Sequence, residues 1–232
     1  MKGMTKRTKL SILFKYLTIA ASLGGVLLSL IYAKQDGYSH WSRRLLYFTA
    51  QSNIWLGVTF IAILAFSLKR NGSAVWKNRL YLLKYIFTVS ITITGLVYCA
   101  LLAPFADDSY RPWVLCNLLT HVFSPLFAIS DFFIDPYRIP LGKKEIYLTL
   151  LPPLVYFSFA SILSVAHTDF GRGVSYPYFF LNFTSPAGVF GFSHVYPFFI
   201  GSFYWFTLFS LVLLCVSYLY ACLSRRSKSK KL

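Results

Sequence analysis

Six stretches of this chain run apolar residue after apolar residue with hardly a charge among them. Each is long enough to cross a bilayer as a helix, which takes about 20 residues. Strands of a membrane barrel would instead alternate apolar and polar positions over about ten residues. A helix satisfies its own backbone groups where no water is present. The pattern therefore predicts an all-α, polytopic membrane protein, a bundle of six spans at 11–33, 46–68, 81–103, 114–134, 146–166 and 198–222. A short N-terminus (1–10) and a tail (223–232), both basic, flank them. The first apolar run follows Lys2, Lys6, Arg7 and Lys9, as a signal peptide would, but it is longer than a signal peptide's and no small-residue cleavage site follows. An uncleaved anchor is expected.

The connection 167–197 breaks the pattern. It carries Phe170, Tyr176, Tyr178, Phe179, Phe180, Phe183, Phe190 and Phe192, interrupted by Gly171, Gly173, Pro177, Pro186, Gly188 and Gly191. The glycines and prolines prevent a continuous helix, and amphipathic rings favour the headgroup layer of a membrane. Two readings stand: a lid over a cavity, or an aromatic belt that packs the helix ends.

Composition agrees with the pattern. Only 13% of the residues are charged and 56% are hydrophobic, against about 25% charged in soluble domains. The net charge of +16 would suit nucleic acid, but the basic residues sit in short blocks between spans, as membrane orientation requires. Nucleic acid is not an expected partner; membrane lipids are. Seventeen Lys and Arg fall in the termini and alternate loops, and the other loops hold five, Lys34, Arg43, Arg44, Arg111 and Arg172. The positive-inside rule then places both termini in the cytoplasm of a cell-membrane protein. Lys15, within the first span, is expected to snorkel to the inner surface. Cys99, Cys116, Cys215 and Cys222 have no CxxC spacing and read as buried, inert thiols.

An ionisable group inside a span usually faces the bundle interior and often has a function. In the fourth span Asn117, His121, Ser124 and Asp131 recur at helical spacing and form one stripe. Pro125 lacks an N–H, so the His121 carbonyl loses its i+4 partner and the helix is expected to kink there. In the second span Thr49 and Asn53 share a face, with Ser52 beside them. Hydroxyl, amide and imidazole at similar depth can form a polar pocket. They can equally serve as helix-to-helix hydrogen bonds. His167 and His194 can join His121 only without any HxxxH or HExxH spacing, so no metal site or other cofactor is expected. Asp107 and Asp108 read as a solvated turn, and Asn182-Phe183-Thr184 matches a glycosylation sequon.

Tyr47-Phe48-Thr49-Ala50-Gln51-Ser52-Asn53 opening the second span, Asn117-Leu118-Leu119-Thr120-His121 with Pro125 in the fourth, and Tyr176-Pro177 in the long loop occur in the order of a known family. In these motifs and in span count the chain resembles the androgen-induced membrane protein family and its bacterial six-transmembrane relatives. It departs from the animal members in a shorter histidine-to-proline spacing and a longer aromatic loop. Those members hydrolyse fatty acid esters of hydroxy fatty acids with a threonine nucleophile and a histidine. The resemblance maps these onto Thr49 and His121. A threonine hydroxyl needs a base within reach, which His121 can supply, and Asn117 or a loop residue is expected to orient the ring. Ser52 and Asn53 are candidate oxyanion donors, and with Asn117 make up the expected substrate-binding set. The expected function is lipid or fatty-acid ester hydrolysis within the membrane. The alternative is a non-enzymatic multi-span protein, a small transporter or an assembly partner of unspecified oligomeric state.

Overall fold

A computed structural model describes residues 5–67, 73–105 and 111–229, with side chains described as far as Arg225. Its regular structure is helical. Six helices are long and apolar enough to cross a membrane: α1 (Lys6–Tyr32), α2 (Phe48–Ser67), α3 (Ala74–Leu102), α4 (Leu115–Ile134), α5 (Lys143–Val165) and α6 (Ser202–Arg225). The protein is thus an all-α membrane-spanning bundle. Arg7 of α1 donates to the Ile134 and Phe133 carbonyls at the end of α4, and Arg225 of α6 donates to Leu141 just before α5. Both ends of the chain therefore meet at one end of the bundle, here the terminal end. The long connection 166–201 lies at the opposite, loop end.

The boundaries follow local chemistry. Thr5 caps α1 by accepting the Thr8 N–H, so the helix begins before the apolar run does. Within α5, Pro152 and Pro153 leave the carbonyls one turn earlier without partners. The chain answers with a turn at Thr149 and Leu150 between two helical pieces, Lys143–Leu148 and Leu151–Val165. Helix α6 starts at Ser202, later than expected, because Ile200 is held in a bridge to Phe192. A Cβ on Gly201 would stand 2.2 Å from the Val189 carbonyl oxygen, so this close crossing needs glycine.

The core is built around α3. Tyr85, Val89 and Ile93 pack with Phe132 of α4 and with Leu213 and Tyr220 of α6. Leu56 and Phe60 of α2 meet Ile91 and Ala128 on the other side. The Tyr85 hydroxyl lies 2.6 Å from Ser217 Oγ, and the Thr92 and Tyr220 hydroxyls are 2.9 Å apart, tying α3 to α6. Small residues let the helices close. A Cβ on Gly25 would meet Thr120 Cγ2 at 2.7 Å, which is how α1 reaches α4.

Lys15 does not snorkel. Its ammonium is buried and bonds Ser11 Oγ (2.6 Å), Asp131 Oδ1 (2.8 Å) and Asp135 Oδ2 (2.7 Å). Lys84 lies across from it, 2.5 Å from Asp131 Oδ2 and 2.7 Å from Asp135 Oδ2. Two lysines and two aspartates thus form a charge-balanced cluster joining α1, α3 and the end of α4. The carboxylates outbid the surface because an unpaired charge is costly to bury. The reading of four buried thiols is also corrected: Cys116 is buried and Cys222 partly so, while Cys99 and Cys215 are exposed on the bundle's outer faces. In the sequon, Asn182 is buried, and its side-chain oxygen accepts from the Thr184 N–H and hydroxyl, so the three residues form a closed turn.

Candidate functional site

Two helices widen at the same level of the bundle. In α3 the turn Tyr98–Leu102 is a π-turn, with the Ala103 N–H reaching the Tyr98 carbonyl at 2.8 Å. In α4 the turn Leu119–Phe123 is another, with the Ser124 N–H bonded to the Leu119 carbonyl. The second follows from Pro125, whose missing N–H frees the His121 carbonyl; the helix takes up the loss by adding a residue to the turn. Gly95 of α3 sits against that carbonyl, and a Cβ there would come within 2.7 Å of the oxygen and 3.1 Å of Pro125 Cγ. Backbone and ring leave no room to yield. Gly95→Ala is expected to cost about 1–3 kcal/mol through overpacking. Gly24→Ala, at a position open for 4 Å around, is expected to be neutral or stabilising. Thermal unfolding of the two variants in detergent checks this pair.

The two π-turns bring Tyr98 and His121 together. Their rings stack face to face, centroids 3.7 Å apart and planes within 9°. His121 is buried, its ring faces the Thr94 carbonyl, and Nδ1 has no hydrogen-bond partner. Beside it lies a chamber of about 420 Å³, walled by His121, Tyr98, Asn117 and Thr120 from α3 and α4, Thr49 and Ala50 from α2, and Tyr176, Pro177 and Tyr178 from the long connection. Thr49 and His121 therefore share one cavity. Among the described residues no hydrogen bond links them directly. The Thr49 hydroxyl has Tyr178 Oη at 3.5 Å, and the Thr49 N–H donates to the same oxygen at 3.4 Å.

The other expected site residues fall differently. Asn117 lines the chamber, and its amide donates to the Arg111 carbonyl. Ser52 and Asn53 are fully buried and do not reach the chamber wall. Ser52 Oγ donates to the Thr49 carbonyl (3.2 Å) and meets Thr94 Oγ1 (3.2 Å). Asn53 Nδ2 donates to the Thr49 carbonyl (2.8 Å) and to the Thr120 carbonyl (3.2 Å). These bonds pin the Thr49 backbone to α3 and α4. Ser124 and Asp131 continue the stripe below the chamber, both fully buried. His167 and His194 are exposed and outside the chamber lining, and among the described residues no three potential metal ligands come together. Asp107 and Asp108 lie outside the described residues.

Tyr178 is the residue that sequence reasoning missed. Its ring stacks on Phe180 and meets Tyr47 edge-on, which carries its hydroxyl inward to Thr49. Burial pushes its pKa up to about 12, so near neutral pH it is an O–H donor and not a base. The first half of the long connection is thus a wall of the chamber, with Phe170, Phe180 and Leu181 buried beneath it. The second half leaves Phe190, Phe192 and Tyr196 exposed. The first half thus borders the cavity, and the second presents exposed rings beside the start of α6.

Two further cavities adjoin the chamber. On one side it shares Thr49, Leu102 and Tyr178 with an apolar slot of about 100 Å³ between α5 and α6, lined by Pro153, Phe157, Phe206 and Phe209. On the other it shares Tyr38, Asn117 and Arg172 with a polar vestibule of about 690 Å³ at the loop end. Asp169 orders the vestibule rim by accepting the Gly171 N–H (2.7 Å), the Gly173 N–H (3.0 Å) and the Ser39 hydroxyl (2.8 Å). Gly171 has φ +120°, and a Cβ there would meet Tyr38 Cδ1 at 2.3 Å. The Gly171 N–H, then the Ser39 hydroxyl, hold the Asp169 carboxyl below the usual carboxylate range. A depressed pKa stabilises the rim above the free carboxyl's pKa of about 4, and the contribution disappears as pH falls through the lower folded value. Amide exchange at Gly171 and Gly173 is expected to quicken, relative to the intrinsic rate, as the pH drops below about 4. In Asp169→Asn the protection is expected to be weaker and to lose that pH dependence.

Fold and site together define a six-span membrane protein with a polar chamber between an apolar slot and a polar vestibule. No protein-family model matches the chain, and no curated protein or solved structure is significantly similar to it.

Proposed function

We propose that this protein is an integral membrane hydrolase of lipid or fatty-acid esters, with Thr49 as nucleophile and His121 as general base, as its motif resemblance to the androgen-induced membrane protein family implies. The observation that carries the reading is the single cavity walled by both residues, with an apolar slot adjoining it at Thr49, Leu102 and Tyr178. An ester placed across the chamber has its chain in the slot and its carbonyl beside Thr49. Thr49 Oγ attacks the acyl carbon while its proton passes to the His121 ring in the wall of the same chamber. His121 then returns that proton to the departing alkoxide, and water releases the acyl group from Thr49 by the same relay. Tyr178, a neutral donor near Thr49, serves the developing oxyanion, the part first given to Ser52 and Asn53. The protein sits in the cell membrane with both termini cytoplasmic, the side of the seventeen basic residues.

A binding role without catalysis is the second reading. It is favoured by the missing direct hydrogen bond between Thr49 and His121. Incubating the purified protein with a fluorogenic acyl ester separates the two: turnover that disappears in Thr49→Ala supports hydrolysis, and turnover unchanged in that variant overturns it.

A further inference from the structure

The basic residues of the loop end are few and are not scattered. Of the five there, Lys34, Arg44, Arg111 and Arg172 line the vestibule or the chamber it leads to. The distribution of basic residues disfavours that end, so four at one mouth call for a reason other than topology. Arg44 is committed to Asp36 and covers one face of Tyr38 (4.1 Å), while Arg172 lies near the same ring (5.1 Å). Asp36 is the one acidic residue in the described lining, and Asp169, next to it, is occupied by two backbone N–H groups and Ser39. Lys34, Arg111 and Arg172 thus bring three cationic groups around a cavity of about 690 Å³, with Gln35, Ser39 and Asn117 as uncharged partners.

We propose that this vestibule binds the phosphodiester head of an anionic glycerophospholipid, whose acyl chain continues through the chamber into the apolar slot. A carboxylate is matched by one bidentate guanidinium. Three cations around a cavity of this width suit the larger, multiply accepting phosphate head. This deepens the hydrolase reading, since it names the ester presented to Thr49, but the head-group site is testable apart from cleavage.

The test is binding of lipids to the purified full-length protein in neutral detergent, followed by native mass spectrometry and by thermal shift. Phosphatidylglycerol is expected to bind about tenfold more tightly than phosphatidylcholine or oleate, the size of one charge-assisted contact. Inorganic phosphate is expected to compete, and added salt to weaken binding. Lys34→Gln and Arg111→Gln, both at exposed positions, are each expected to lower phosphatidylglycerol affinity about tenfold, and Arg111→Glu further, with unchanged melting of the lipid-free protein. Equal affinity for all three lipids, preference for oleate, or indifference to the Lys34 and Arg111 variants overturns the proposal. Tight, charge-dependent binding of phosphatidylglycerol without its cleavage retains the head-group site and removes this lipid as substrate of the Thr49 reaction.

Discussion

Asp131→Ala is expected to yield a protein that inserts poorly and, where it can be extracted, melts roughly 10 °C lower than wild type. Asp131 receives Lys15, Ser11 and Lys84 within 2.8 Å and is fully buried. Its loss leaves two ammonium groups sharing the single carboxylate of Asp135. Removing one partner of a buried ion pair costs about 3–5 kcal/mol, a large part of the 5–15 kcal/mol that holds a typical fold together. About 1 kcal/mol moves the midpoint of a chain this size by roughly 2–4 °C. The companion variant separates charge from packing: Asp131→Asn with Lys15→Met removes one charge of each sign and leaves Lys84 paired with Asp135. It is expected to recover at least half of the loss. Fluorescence-detected melting in detergent measures both, and a melting point for Asp131→Ala within a degree or two of wild type would show that the cluster does not secure the terminal end.

The second large effect concerns the chamber. Thr49→Ala is expected to lower ester turnover at least a thousandfold, since covalent catalysis has no substitute for the lost oxygen. Thr49→Ser is expected to retain measurable activity, because the hydroxyl survives. His121→Ala is expected to lose about 10²–10⁴-fold, the range of a general base. Tyr178→Phe, which keeps the ring packing and removes only the hydroxyl, is expected to lose less, about 10²-fold. The ordering matters more than any single number. Turnover equal to wild type in both Thr49→Ala and His121→Ala, with folded protein in hand, would leave the chamber a binding site only.

The six spans were legible because apolar run length is a one-dimensional property, and the bilayer-spanning helix is set by length. The stripe on α4 was legible for the same reason: Asn117, His121, Ser124 and Asp131 are all buried, as a shared face requires. What periodicity cannot give is the partner across the bundle. Lys15 reads as a snorkelling lysine until Asp131, 116 residues later, is placed beside it. Ser52 and Asn53 share a face with Thr49, yet the Ser52 hydroxyl is taken up by the Thr49 carbonyl and Thr94, and the Asn53 amide N–H groups by the Thr49 and Thr120 carbonyls. Tyr178 stands in a segment with no helical or strand period, so only the path of the chain brings it to Thr49. The Pro125 effect was half legible: the freed carbonyl was expected, but its outcome is a π-turn closed against Gly95.

The account rests on Thr49 being a nucleophile, and active-site labelling addresses that most directly. The purified protein, treated with a biotinylated fluorophosphonate and digested, is expected to carry the label on the peptide containing Thr49. Thr49→Ala is expected to abolish the label, and His121→Ala to slow it at least a hundredfold. Label on another residue, or equal labelling of Thr49→Ala, would contradict the assignment.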